Sequence, residues 1–302
     1  MANTTNPSGT SPLRIGIIGG SGLGQALGGE QGQSLILDTP FGSPSSPIVL
    51  TQWQGVEVAI LQRHGPGHIY NPSQVPYRAN IFALKQIGVT HIIASGATGS
   101  LREEIHPGDL VIADQIIDKT HKRPSTFFDA AAVHVELAQP FCPVMRQWLL
   151  EASRKLPAGA RVHDQGTYVC MEGPAFSTRA ESLMHRAWGG DLIGMTAMPE
   201  ARLAREAELP YALIGLPTDY DCWRAHDPAV SQQDLLSEII GNLNKATQAG
   251  IALIKAALSD VSLLHQPSPA QTALKLAIWS DKTLIPRSEI EKLTPIWGRY
   301  FE

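Results

Sequence analysis

Tyr211-Ala-Leu-Ile-Gly-Leu-Pro217 runs directly into Thr218-Asp219-Tyr220-Asp221-Cys222-Trp223. The first seven residues carry no charge and read as a buried strand. Ligands of an open α/β sheet collect where its strands end, so Asp219 and Asp221 fall at a candidate site. If Tyr220 continues the strand, period two turns both carboxylates to the same side. Two like charges that close cannot both ionise cheaply, and one pKa is expected to rise. A carboxyl that keeps its proton near neutral pH can hand it to a leaving group. The same residues also read as an acidic turn facing solvent.

Working outward, short apolar runs recur at 14–18, 56–61, 90–94, 109–117, 162–171 and 191–196, and each reads as a strand. Helical periodicity fills 80–87, 143–156, 177–188, 199–207 and 231–257, with Ser177 or Thr178 as a cap. Strands alternating with helices predict an α/β fold: a single domain over 13–258 with a mixed central sheet and helices on both faces. Residues 1–12 are rich in Ser, Thr and Asn, lack the apolar core of a secretory signal, and are expected to be a disordered tail. Residues 259–302 differ in character. Gln266-Pro-Ser-Pro-Ala270 reads as a linker, 270–279 as helical, and Leu284-Ile285-Pro286 follows. This C-terminal extension is either a packed appendage or an arm reaching a neighbouring subunit.

Composition narrows the partners. Net charge is -4, from 24 basic and 28 acidic residues, with no basic block, so neither nucleic acid nor an anionic membrane is an expected partner. No apolar run approaches the ~20 residues of a spanning helix. Cys142, Cys170 and Cys222 are odd in number and have no metal-site spacing, which predicts reduced thiols in a cytoplasmic protein and no bound metal.

Three further strand ends carry chemistry. Gly19-Gly20-Ser21-Gly22-Leu23-Gly24 offers backbone N–H groups and the Ser21 hydroxyl to an anion. It is not a dinucleotide fingerprint, because the last glycine would fall on Gln25 or Leu27, and it lacks the Lys-Ser/Thr of a P-loop. A tight βα turn is the plain alternative. In Arg63-His64-Gly65-Pro-Gly-His68, the Arg suits a bidentate grip on phosphate and His64 adds a second donor. The same element reads as a surface loop, or as the Arg-His-Gly of histidine phosphatases with a phosphorylated His. A metal site from His64, His68 and aspartates lacks convincing spacing. Ser95-Gly96-Ala97-Thr98-Gly99-Ser100 adds small residues at a third strand end. Phe176 reads equally as a platform for a flat ligand or as a core aromatic.

Together these runs resemble the nucleoside phosphorylase superfamily, within it the branch acting on 5′-methylthioadenosine. The resemblance is carried in order by Ile15-Gly-Ile-Ile-Gly-Gly-Ser-Gly-Leu23, Asp38-Thr-Pro-Phe-Gly42, Arg63-His-Gly65, Gly99-Ser-Leu-Arg-Glu-Glu-Ile105, Pro107-Gly-Asp109, Glu172-Gly-Pro174, Arg179-Ala-Glu181, Met195-Thr196, Pro199-Glu200 and Thr218-Asp-Tyr-Asp-Cys-Trp223. It implies a phosphorylase that splits the nucleoside into adenine and a ribose 1-phosphate, with inorganic phosphate as co-substrate and no cofactor. Ser21, Arg63, His64, the Gly96-Ala97 backbone and Thr196 would bind phosphate. Met195 would lie against the ribose, and Phe176 and Ser177 would line the base site. Asp219 and Asp221 would hold the purine at N7 and the 6-amino group. Relatives for 6-oxopurines carry Asn in place of Asp219, and an ionised Asp repels a 6-oxo group, so Asp argues for adenine. The 5′ pocket would draw on His68, His134, Val230, Gln232, Leu235 and Leu284, the last on an arm that closes a neighbour's site in a homotrimer. Gly96 and Gln232 depart from the Thr and Val of animal members. Gln232 leaves 5′-deoxyadenosine and adenosine as further substrates, with a broader purine nucleoside phosphorylase as the alternative. A water-using nucleosidase and a nucleoside-binding protein without turnover are further readings. Residues 287–302 have no recognised counterpart.

Overall fold

The structure is a computed structural model that describes residues 13–27, 29–225 and 229–302. The tail expected at 1–12 lies outside the described residues. In chain order the strands are β1 (Arg14–Gly19), β2 (Gln33–Leu35), β3 (Ile48–Trp53), β4 (Val56–Gln62), β5 (His91–Ser100), β6 (Leu110–Ile112), β7 (Gln115–Asp118), β8 (Val162–His163), β9 (Thr167–Cys170), β10 (Leu192–Gly194) and β11 (Tyr211–Asp219). The helices are α1 (Leu23–Leu27), α2 (Tyr77–Gln86), α3 (Pro143–Ser153), α4 (Arg179–Ala187), α5 (Ala197–Glu206), α6 (Gln232–Leu258), α7 (Arg287–Lys292) and α8 (Thr294–Trp297). All strands join one mixed sheet, β2-β3-β4-β1-β5-β10-β9-β7, from which β11, β6 and β8 branch at β5.

Period two decides which helices cover which face. Ile15 and Ile17 of β1, Val58 and Ile60 of β4, and Ala212 and Ile214 of β11 share a core with α1, α3 and α6. The intervening Ile18, Ala59, Leu61 and Leu213 face the other way, into a core with α2 and α5. Helices on both faces are therefore what the alternation of apolar residues on buried strands requires. The chain after Leu258 returns across the second face, where Leu274, Ala277, Ile285, Leu293, Ile296 and Trp297 join the same core.

Several boundaries differ from the sequence reading, each for a packing reason. The run 95–100 is not a loop: β5 continues through it because β11 pairs with it in parallel from Tyr211↔Ile92 to Asp219↔Gly99. The run 109–117 divides into β6 and β7 because the first half pairs with β11 and β8 and the second with β9. β3 and β4 form a hairpin across Gln54 and Gly55, both at positive φ (52° and 78°), a turn that twists with the strands it joins. The 270–279 stretch holds only a 3-10 turn at Pro269–Thr272, because Ile278 then bridges to Val133. Thr178 caps α4: its Oγ1 accepts from the Glu181 N–H, and the Glu181 carboxylate accepts from the Thr178 N–H. Among the described residues no single helix is long and apolar enough to cross a membrane. Cys142, Cys170 and Cys222 are free thiols.

Candidate active site

β1, β4, β5 and β11 run parallel, so their C-terminal ends meet on one side of the sheet. There the glycine turn after β1 and the Arg63-His64 turn after β4 enclose a cavity of about 260 Å³, lined by Gly19, Gly20, Gln25, His64, Gly65 and His68 among others. Ser21 lies in that glycine turn. Gly20 must be glycine on grounds of space: a Cβ there would stand 2.5 Å from Arg63 Nη1 and 2.7 Å from the Ser95 carbonyl. A Cβ on Gly96 would stand 3.7 Å from Thr196 Oγ1. The structure thus brings Arg63, His64, Gly96 and Thr196 together around the glycine turn.

Arg63 is 0 % exposed, and its fork is largely engaged. Nε and Nη2 donate to the two carboxylate oxygens of Glu200 at 2.7 Å each, and Nη1 donates to the Ser95 carbonyl at 2.7 Å. Of five guanidinium N–H groups two are left, one on each Nη. Burial works against the charge, but the Glu200 carboxylate outweighs it and raises the pKa further. Removing either partner of such a pair costs about 3–5 kcal/mol, because the other is left buried and charged. Tyr211 Oη also donates to Glu200, at 2.8 Å. Sequence reasoning quoted Pro199-Glu200 only as part of the resemblance and gave Glu200 no role.

His64 differs from the donor expected of it. A ring nitrogen 2.8 Å from the Tyr70 carbonyl must carry the hydrogen, so Nδ1 donates. Burial, then the charge of Arg63, pushes the imidazole down to about 4, so at neutral pH Nε2 is an acceptor. The His68 ring stacks on it, centroids 4.1 Å apart, in the same cavity wall.

The carboxylate pair sits further along β5. β11 ends at Asp219, and Asp221 turns away with φ +49°, so the strand does not continue through Tyr220 and period two does not set the pair's geometry. A turn does instead: the Asp221 N–H donates to Asp219 Oδ1 at 2.7 Å, and Thr218 Oγ1 lies 2.6 Å from Asp219 Oδ2. Both residues flank Gly99, where a Cβ would stand 3.0 Å from Asp221 Cβ and 3.3 Å from Asp219 Oδ1. Ser177 adjoins this end through its carbonyl, which accepts from Cys222 Sγ at 3.2 Å. Phe176 is 85 % exposed and thus not a core aromatic.

Met195 and Met198 are held from behind by Arg123, which the sequence reading missed, and Glu172, to which it gave no role. Arg123 Nη1 donates to the carbonyls of Met195 and Met198, both at 2.6 Å, and its Nε donates to Glu172 at 3.2 Å. Glu172 further accepts from the Ser73 hydroxyl at 2.5 Å and the His121 N–H at 2.7 Å. Burial opposes its charge, but these bonds and Arg123 outweigh it and hold the carboxyl at about 2.

The remaining expected residues fall in two groups that no hydrogen bond or ring contact joins among the described residues. Val230, Gln232 and Leu235 lie at the start of α6, where Ser231 caps the helix. His134 pairs with the C-terminal segment, its N–H donating to the Ala277 carbonyl at 2.9 Å and its ring packing on Trp279, while Leu284 is 80 % exposed. Among the described residues no group of three or more His, Cys, Asp or Glu is arranged to hold a metal ion.

β10 runs antiparallel to β5, with Ile193 opposite Gly99, and leads on to Thr196 beside Gly96. The glycine-turn end and the carboxylate end are thus three β5 residues apart, roughly 10 Å at strand rise. A family model of the Phosphorylase superfamily matches residues 14–259. An S-methyl-5′-thioadenosine phosphorylase of Geobacter sulfurreducens is 46% identical over 288 residues, 95% of this chain and 98% of the relative. The crystal structure of a methylthioadenosine phosphorylase from an Antarctic soil metagenomic library superposes with a TM-score of 0.85 at 44% identity, covering 95% of this chain and 99% of that one. The methylthioadenosine phosphorylase of Schistosoma mansoni in complex with adenine gives 0.80 at 34% identity, over 88% and 99%. The chain belongs to the Phosphorylase superfamily.

Proposed function

We propose that this chain catalyses the phosphorolysis of 5′-methylthioadenosine to adenine and 5-methylthioribose 1-phosphate, with inorganic phosphate as co-substrate and no bound cofactor. The observation that carries the reading is the roughly 10 Å run of β5 between an anion-binding cavity and a carboxylate pair, the span a ribose needs between phosphate and the far edge of a purine. The relatives named above are methylthioadenosine phosphorylases, which favours this nucleoside over a broader purine range.

Phosphate is held by Ser21, the two remaining N–H groups of Arg63, the Gly96-Ala97 backbone and Thr196, with His64 Nε2 accepting from its hydroxyl. One phosphate oxygen attacks C1′ from the face opposite the base. The C1′–N9 bond breaks with its electron pair going to adenine, and the cation-like sugar is stabilised by the phosphate dianion beneath it. HPO₄²⁻ loses its hydrogen on becoming an ester and adenine gains one, so the reaction is balanced in protons. Asp219 delivers the proton at N7, and Asp221 accepts from the 6-amino group. Met195 lies along the ribose, and Phe176 and Ser177 border the base. Val230, Gln232 and Leu235 meet the 5′ group together with His68, and with His134 and Leu284 of a second copy in a homotrimer. The enzyme works in the cytoplasm, in purine and methionine salvage.

The test is adenine release from methylthioadenosine with and without phosphate, with inosine and adenosine alongside. Phosphate-dependent release selective for the methylthio substrate is the expected result. Release without phosphate makes the chain a hydrolase and removes the phosphate assignments; equal use of adenosine assigns Gln232 to reading a 5′-hydroxyl.

A further inference from the structure

Behind the carboxylate pair lies a second layer of ionisable groups. His185, on α4, is 2 % exposed, and α4 packs against the 3-10 turn at Asp221–Trp223. Its Nε2 stands 3.2 Å from Lys119 Nζ, whose ammonium rests over the Trp188 ring at 5.0 Å. An ammonium has no lone pair, so Nε2 must accept, and the neutral ring carries its hydrogen on Nδ1. That Nδ1 is buried without a hydrogen-bond partner. On the turn packed against it, Asp221 Oδ2 is likewise buried and unpartnered; burial and then the Lys119 charge hold the imidazole below its usual range, against the opposing charges of Glu181 and Asp221. A buried donor and a buried acceptor, each without a partner, therefore belong to two elements in contact.

On the phosphorolysis reading above, we propose that His185 is a positioning residue whose Nδ1–H donates to Asp221 Oδ2 when the purine is bound, keeping Asp221 ionised. Lys119 sets the direction of that bond by claiming Nε2. Oδ2 is buried, so the substrate is left with Oδ1, and an ionised Oδ1 accepts from a 6-amino group and repels a 6-oxo oxygen. The proton for N7 is thereby confined to Asp219. Thr218 Oγ1 can receive it in a hydrogen bond at 2.6 Å while donating its own hydrogen to the Thr98 carbonyl at 3.3 Å. The pair is thus divided into one acceptor and one acid by what stands behind it, rather than by mutual repulsion alone.

Three substitutions separate this from a space-filling role. His185→Phe keeps a ring and removes the N–H; His185→Asn retains an N–H at the place of Nδ1; His185→Gln puts one at the place of Nε2. Phe and Gln are expected to lower kcat with methylthioadenosine about tenfold, the scale of one hydrogen bond to a charged group. The KM for phosphate should stay unchanged, and Asn should recover most of the loss. Equal losses in the Phe and Asn variants, or none in the Phe variant, overturn the proposal. The unmodified enzyme gives an independent reading: ¹⁵N-histidine spectra should show His185 protonated on Nδ1, with that resonance moving in Asp221→Asn. Protonation on Nε2 overturns the proposal even if a variant fails to fold. Failure of the unmodified enzyme to release adenine with phosphate would instead strike the phosphorolysis reading, while the tautomer result would still stand or fall separately.

Discussion

At the scale of single residues, the site separates charge by burial and pairing. Asp219 is the acid at N7 in the proposed reaction, and general-acid assistance is worth about 10²–10⁴-fold. Asp219→Asn should lower methylthioadenosine turnover by at least about 100-fold and move selectivity toward 6-oxopurine nucleosides. Unchanged selectivity on a nucleoside panel would count against the assignment. Glu206 tests burial by itself. It is 3 % exposed and accepts from the Phe127 N–H at 2.8 Å, and burial pushes its pKa from about 4.5 up to about 7. A raised carboxyl pKa means the folded protein keeps a proton that the unfolded chain releases between those values. Stability from this group is therefore fully present below pH 4.5 and lost as pH rises through 7, by roughly 3 kcal/mol in all. Urea melts at pH 5 and pH 8 should show Glu206→Gln flattening the wild-type pH dependence; an identical slope in both proteins would remove Glu206 as its source.

At the scale of elements, glycines on strands place the site. Gly99→Ala sets a Cβ 3.0 Å from Asp221 Cβ and 3.1 Å from Ile193 Cγ2. The carboxylate turn must shift by tenths of an ångström, and a misplacement on that scale is expected to cost about tenfold or more in kcat with a fold that still melts cooperatively. A variant of wild-type activity would show that the turn is not held against β5. The strand-end motifs, the aspartate pair after the last strand and helices on both faces were all legible in the sequence, because buried strands leave apolar runs and their ends leave Gly, Arg and Asp. The continuation of β5 through Gly96 and Gly99 was not, since five small residues in six look like a loop until β11 is seen pairing with them. The pairing of Glu200 was equally hidden. Its partner Arg63 is 137 residues away, and no local pattern announces a long-range ion pair. The geometry of the Asp219–Asp221 pair comes from a turn, which replaces the strand alternation that the sequence suggested.

At the scale of the whole molecule, the C-terminal segment is anchored in the core by Leu274, Ala277, Ile285, Leu293, Ile296 and Trp297. Trp297 is 1 % exposed, packs at a tilt on Phe128 with ring centroids 4.8 Å apart and meets Phe301 edge-on at 5.0 Å. Trp297→Ala should therefore cost about 3–5 kcal/mol by denaturant melt. A loss below about 1 kcal/mol would mean that this segment adds little to the folded body. The branching of the sheet at β5 has a consequence for how the chain is made. β11 completes that centre, yet it pairs with residues about 120 positions earlier. A ribosome adding roughly 5–20 residues per second leaves β5 without this neighbour for about 6–24 s. During synthesis the apolar edge at 92–97 stays open to wrong partners until β11 emerges, and this end of the sheet closes only then.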